Sequence, residues 1–192
     1  MRIGVLALQG AFIEHMRIVE ELGVDAVPVR LPHQLEGTDG VVIPGGESTT
    51  ILSLMGTFGL IEPLRHLAHL GLPMLGTCAG MICLAKDIPD DDMQTLSAID
   101  IVVRRNAFGR QTDSFETELS IPVLGAEPFP AIFIRAPVIE RAGPQVQILA
   151  RLPSGEAVAA RQGKLIATAF HPELTRDFRL HSYFLELAGS PQ

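Results

Sequence analysis

Cys78 lies in Gly76-Thr77-Cys78-Ala79-Gly80, between an apolar run that reads as a strand and one that reads as a helix. A nucleophile between small residues at a strand-to-helix turn can take up the tight, strained backbone that lifts it above a sheet edge. Here the nucleophile is a thiol. A helix N-terminus favours its thiolate, because the helix dipole stabilises negative charge. The backbone N–H of Ala79 would face an oxyanion developing on the attacked carbonyl. The bland reading is a buried Cys in an ordinary turn.

A second set, Phe170-His171-Pro172-Glu173, follows the apolar run 165–170. Alternate residues of an extended backbone share a face, so Glu173 can hold the His171 ring and stabilise its charged form. A base with an orienting carboxylate is what activates a thiol. Without Cys78, this pair reads as a surface His with an unrelated Glu. The third set is Pro44-Gly45-Gly46-Glu47-Ser48. Two glycines at a strand end let backbone approach a ligand, and the N–H of Gly46 can complete an oxyanion hole with Ala79. Taken alone, a plain Gly-rich turn with a Ser cap on the next helix is the simpler reading. All three sets end predicted strands, and ligands of open α/β sheets bind beyond the carboxyl ends of strands. Cys, His and Glu converging there suit acyl transfer on an amide.

Other residues read as scaffold. His66 and His69 are one helical turn apart, with no third ligand near, so no metal site is expected. Cys83 lies among Met81, Ile82 and Leu84 and reads as core. Asp90, Asp91 and Asp92 read as a solvated loop. Neither a Walker A nor a G-x-G-x-x-G pattern occurs, so no nucleotide site is supported. The stretch from Arg104 to Gln111 is rich in Arg for an acidic protein, and Arg135 ends another run. Guanidinium groups grip carboxylates, so these suit an amino-acid substrate, an acidic partner or surface ion pairing.

The elements that must position these groups alternate. Residues 3–8, 26–29, 41–43 and 73–75 read as short strands, with helices over 11–22, from Ser48 or Thr49 to about Met55, over 61–70, and from Ala79 to about Lys86. Near-continuous apolar strands alternating with helices predict a parallel sheet covered on both faces. Beyond residue 87 the runs 101–104, 115–121, 131–135, 146–149, 157–161 and 165–170 are separated by Gly and Pro. They read as antiparallel additions, before a last helix over 178–187.

The chain's bulk properties agree with one such domain over residues 1–192. Hydrophobic residues are 47% and charged ones 19%, which excludes a disordered chain or a coiled coil. Fifteen basic against twenty-two acidic residues give a formal charge of −7, so no nucleic-acid or anionic-membrane footprint is expected. Two cysteines five positions apart cannot frame a disulfide scaffold and suit a reducing compartment. With no long apolar segment and no signal-like start, the expected location is cytoplasmic.

The motifs together closely resemble a known family. Val5 to Gly10, Pro44 to Thr50, Gly76 to Gly80, Arg104 to Gln111, Asp113 to Glu116, Phe133 to Pro137 and Phe170 to Thr175 are similar, in order along nearly the whole chain, to the glutaminase subunits of pyridoxal 5′-phosphate synthase. The Cys78 and His171–Glu173 motifs are shared with class I glutamine amidotransferases generally. The segments at 104–111, 113–116 and 133–137 single out the vitamin B6 branch.

The resemblance implies a flavodoxin-like three-layer α/β/α fold and hydrolysis of L-glutamine to L-glutamate and ammonia, without a cofactor. It implies Cys78 as nucleophile, with His171 and Glu173 completing the triad, and glutamine binding by Gly46, Glu47, Ser48, Arg105, Ile134 and Arg135. It also implies a (β/α)₈ synthase partner, in an assembly of twelve synthase and twelve glutaminase subunits, and activity dependent on docking. Gln9, at the end of the first strand, is expected to couple docking to the site. The alternatives are a glutaminase subunit of another ammonia-using synthase, a thiol hydrolase of the DJ-1/PfpI type, and a catalytically silent docking module.

Overall fold

The computed structural model describes residues 1–89, 93–107 and 114–190. The polar loop at Asp90 to Asp92 lies outside these, as do Phe108 to Gln111 and Asp113 of the motifs above.

Five parallel strands form the centre: β1 (Arg2–Leu6), β2 (Asp25–Val29), β3 (Gly40–Ile43), β4 (Met74–Thr77) and β12 (Leu165–Thr168). They lie in the order β2-β1-β3-β4-β12. All residues of β3, β4 and β12 are buried, as strands covered on both faces must be. β2 is the edge strand, which is why it can hold Pro28. The sheet continues through β11 (Ala157–Gln162), β9 (Val138–Ala142), β6 (Ile99–Arg104) and β5 (Ala85–Asp87), with β10 (Gln147–Arg151) paired to β11. β7 (Ser114–Leu119) and β8 (Phe129–Ile134) form a separate antiparallel ribbon.

Successive strand residues face opposite sides, and this sorts the helices. A Cβ on Gly76 of β4 would meet Gly80 and Leu84 of α4 (Ala79–Leu84). The next residue, Thr77, instead reaches His15 of α1 (Phe12–Glu21). α1 lies beside α5 (Arg179–Gly189) through a buried His15–His181 contact. α2 (Ser48–Thr57) packs on α4, and α3 (Ile61–His69) follows α2. The chain is therefore a three-layer α/β/α fold, and the carboxyl ends of β1, β3, β4 and β12 share one edge.

The structure corrects several expectations. The run at 165–170 is not an antiparallel addition: β12 is antiparallel to β11 but parallel to β4. The tight turn from β11 at Gly163, φ +57°, reverses the chain so that it enters the central sheet in the sense of β4. The helix after Cys78 ends at Leu84, because Ala85 turns extended to pair with Ile99 in β5–β6. β9 falls in a stretch where the sequence marks no strand. Neither Ser48 nor Thr49 caps α2; the Glu47 carboxylate does, accepting from the N–H groups of Thr49 at 3.2 Å and Thr50 at 2.8 Å.

Candidate active site

β4 ends at Thr77, and Cys78 turns sharply into α4 with φ 48° and ψ −101°. That conformation is strained for a residue with a side chain and persists only where its surroundings over-determine it. The Cys78 N–H donates to the Thr168 carbonyl at 2.8 Å, fastening the turn to β12. The flanking glycines let the helix start sit directly on the sheet. A Cβ on Gly76 would lie 2.5 Å from the Gly80 carbonyl oxygen, and one on Gly80 would lie 2.0 Å from that of Ile43. Both obstacles are backbone and cannot swing aside. Gly80→Ala is therefore expected to destabilise the protein by about 3 kcal/mol, the upper end of ordinary overpacking. A urea midpoint equal to that of the parent chain would refute so tight a β3–α4 contact.

His171 follows β12, and its N–H donates to the Ile132 carbonyl of β8 at 2.8 Å. The pairing with Glu173 does not come from a continued extended strand. Residues Pro172–Leu174 form a 3₁₀ turn that curls the carboxylate back. The His171 Nδ1–H donates to Glu173 Oε1 at 2.7 Å. Cys78, His171 and Glu173 are 6%, 7% and 5% exposed. Burial pulls the His171 pKa down, but hydrogen bonding and charge from Cys78 and Glu173 outweigh it and raise the value to about 10. These surroundings favour the protonated ring. Gly45 backs it: a Cβ there would lie 2.4 Å from His171 Cε1 and 2.9 Å from Nδ1.

In front of Cys78 opens a cleft of about 400 Å³. Its walls include Gly46, Glu47, Ser48, Cys78, Ala79, Arg105, Ile134, Arg135 and His171. Of the candidate catalytic and glutamine-binding residues, only Glu173 is not in the wall; it stands behind His171. Ala79 opens α4, where N–H groups have no intrahelical acceptor. The Glu47 carboxylate is engaged by α2 and by Arg105 Nη2 at 3.4 Å, so Glu47 offers the cleft backbone rather than a free acid. Burial raises its pKa, but the Thr50 and Thr49 hydrogen bonds prevail and keep the acid below its usual range.

Gln9 also lines the cleft, its Oε1 accepting from the Glu47 N–H at 2.8 Å. The neighbouring Ala11 N–H donates to the Gly45 carbonyl at 3.0 Å, which fixes the orientation of the Gly45–Gly46 peptide. Sequence reasoning left out Ile82 and gave Asn106 no role of its own, yet both are in the wall. Among the described residues four non-glycines have positive φ, and three of them line this cleft: Cys78, Asn106 at 46° and Arg135 at 43°. Backbone strain collects at functional sites in this way, and Asn tolerates the left-handed region better than most residues. That tolerance was the available signal for Asn106.

His66 and His69 are exposed on α3, and among the described residues no group of three or more His, Cys, Asp or Glu is placed to hold a metal. Cys83 is fully buried, which pushes its thiol up to about 12. No helix among the described residues is long and apolar enough to cross a membrane.

The fold is that of a glutamine amidotransferase. A crystal structure described as a glutamine amidotransferase superposes with a TM-score of 0.92 at 48% identity, covering 98% of this chain and 99% of that one. At 18% identity, a putative GMP synthase component from Thermoplasma acidophilum shares the fold alone, with a TM-score of 0.73 over 98% and 94% of the two chains. The chain belongs to the SNO glutamine amidotransferase family, which matches residues 5–189. Relatives named pyridoxal 5′-phosphate synthase subunit PdxT are 59% identical in Moorella thermoacetica, over 98% of this chain and 100% of theirs, and 57% identical in Herpetosiphon aurantiacus, over 97% and 100%.

Proposed function

We propose that this chain hydrolyses L-glutamine to L-glutamate and ammonia as the glutaminase subunit of a pyridoxal 5′-phosphate synthase. The observation that carries the chemistry is the alignment of Cys78, His171 and Glu173 at neighbouring strand ends, with Cys78 and His171 in the wall of one cleft and Glu173 behind His171. Cys78 attacks the side-chain carboxamide carbon as thiolate, paired with the His171 imidazolium. The N–H groups of Ala79 and Gly46 hold the oxyanion. His171 gives its proton to the departing ammonia, leaving a γ-glutamyl thioester. It then takes a proton from water, whose hydroxide cleaves the thioester and releases the thiolate beside the imidazolium again. Glu173 keeps the ring oriented throughout. Arg105 and Arg135 at the cleft suit the α-carboxylate of an amino acid, and Ile134 the methylene chain.

The ammonia passes to a (β/α)₈ synthase subunit, in a twelve-plus-twelve assembly in the cytoplasm. Docking on the loop at Gln9 to Ala11 offers a route to control. The Gly45 carbonyl is bonded to Ala11, and in a trans peptide the Gly46 N–H points the opposite way. Releasing that carbonyl frees the peptide to turn its N–H to the oxyanion, and Gln9, packed on Gly46, senses the change. The test is glutamate release from L-glutamine with and without an added synthase subunit. We expect strong stimulation by the partner. Rapid release without it would discard the gating, and no release in either condition would discard the glutaminase reading.

A further inference from the structure

On the side of Glu173 away from the cleft lie three polar side chains with no exposed surface: His15 of α1, Thr77 of β4 and His181 of α5. His171 occupies Glu173 Oε1, while Oε2 makes no full hydrogen bond among the described residues. His15 Nε2 faces that oxygen at 3.4 Å and Thr77 Oγ1 at 3.1 Å. On its other edge, His15 Nδ1 lies 2.9 Å from His181 Nε2, and His181 Nδ1 is buried without a partner among the described residues.

These contacts decide where the protons sit. If His15 carried its proton on Nδ1, it would donate to His181 Nε2. His181 would then hold its own proton on the orphaned Nδ1, and the His15 lone pair would point at a carboxylate. Both features are costly in a buried site. With the proton on His15 Nε2, the carboxylate faces an N–H instead of a lone pair. Nε2–H donates to Thr77 Oγ1 at 3.1 Å with Glu173 Oε2 beside it at 3.4 Å, and His15 Nδ1 accepts from His181 Nε2–H. Of the two imidazoles, only an acceptor, His181 Nδ1, is left unpaired.

We propose that His15 is a positioning residue for the triad: a neutral imidazole whose Nε2–H edge, bonded to Thr77 and with its tautomer fixed by His181, lies against Glu173 Oε2 and holds the carboxylate against His171. The proposal rests on the reading of Cys78, His171 and Glu173 as a working triad. Neutrality fits the surroundings. Burial drives the His15 pKa well below 6.5, with the charges of His181 and His171 acting in the same sense, and burial lowers His181 to about 4. A cationic His15 would compete with His171 for Glu173, whereas a neutral dipole steadies the carboxylate and leaves the ion pair with His171. The groups facing the ring are Thr77 of β4, His181 of α5, and His171 and Glu173 at the 3₁₀ turn. An orienting residue is thus itself oriented, as outer-shell partners commonly are.

The tautomer is read directly from ¹⁵N–¹H long-range correlation spectra of the uniformly labelled chain. We expect a neutral Nε2–H ring at His15 from pH 6 to 8. An Nδ1–H or a protonated ring would overturn the proposal. A second readout is alkylation of Cys78 by iodoacetamide at pH 7, which reports thiolate stabilised by His171⁺ and needs no glutamine turnover; Cys78→Ala supplies the blank. His15→Leu should slow alkylation about tenfold. His15→Gln, which returns an N–H donor near the same place, should recover most of it. In a Glu173→Gln background His15→Leu should cost nothing further. Equal slowing in both backgrounds would leave His15 a packing residue and refute the proposal. Should the wild-type chain show the expected tautomer and coupling but no glutaminase activity with any partner, the functional reading fails and the positioning role stands.

Discussion

Cys78→Ala is expected to lower glutamine hydrolysis in the partner-bound state by about 10⁵–10⁶, the loss seen when a nucleophile is removed from a triad that acts as a unit. Its sulfur is the atom in the cleft wall suited to form the γ-glutamyl thioester, so His171 and Glu173 are left with nothing to activate. The fold should be unaffected. Ala inherits the positive φ of the turn, and the N–H bond to Thr168 is a backbone bond. Coupled-enzyme measurement of glutamate, beside a thermal melt, tests both statements. Retention of more than about 1% of the rate would move the nucleophile elsewhere, since the expected loss is orders of magnitude larger. Cys83→Ala provides the contrast: it removes a buried sulfur from the α4 packing and should act on stability rather than rate.

The second large effect is expected at a residue that touches no substrate. Gly45→Ala places a methyl group 2.4 Å from His171 Cε1, and the ring is already pinned by Glu173 at 2.7 Å. The ring must move off line between Cys78 and Glu173. Misplacement by about 1 Å costs on the order of 10² in rate, so kcat should fall about a hundredfold. KM should change far less, because Gly45 is behind the ring and not in the cleft wall. Full activity in the variant, or an unshifted His171 resonance, would mean that the ring has room to spare on that side.

What was legible in the sequence was local. The Gly76–Gly80 turn announces itself because two steric demands, each met only by glycine, fall within five residues. His171 and Glu173 are two positions apart, so their association needed no fold, although the curl that joins them is a 3₁₀ turn rather than a strand. The strand-to-helix rhythm of the first half is written in each segment's own apolar periodicity. Legibility fails where partners are distant. The sense of β12 depends on its having β4 as one neighbour and β11 as the other, which no single segment encodes. The Arg-rich stretch holding Arg105, and Arg135, stood out by residue type but without a place beside Cys78, and Ile134 was reached only through the family resemblance, because their meeting requires β6 and β8 to end beside β4. Glu47 took the capping role that short polar residues usually hold because its longer side chain reaches two N–H groups. His15 shares the apolar stripe of α1 with Phe12 and Val19, and its partner His181 is 166 residues away.

One feature of α4 governs how the protein withstands peroxide. Cys78 and Cys83 are its two cysteines, set at opposite ends of a short helix, and five residues of helical rise place them roughly 7.5 Å apart along the axis. That separation exceeds what a disulfide spans without moving backbone. Cys83 also keeps its proton, its thiol being pushed up to about 12. A sulfenic acid formed at Cys78 therefore meets no resolving thiol within the chain. Its repair falls to small-molecule thiols entering the cleft, and its further oxidation to the sulfinic acid is opposed only by how quickly they arrive.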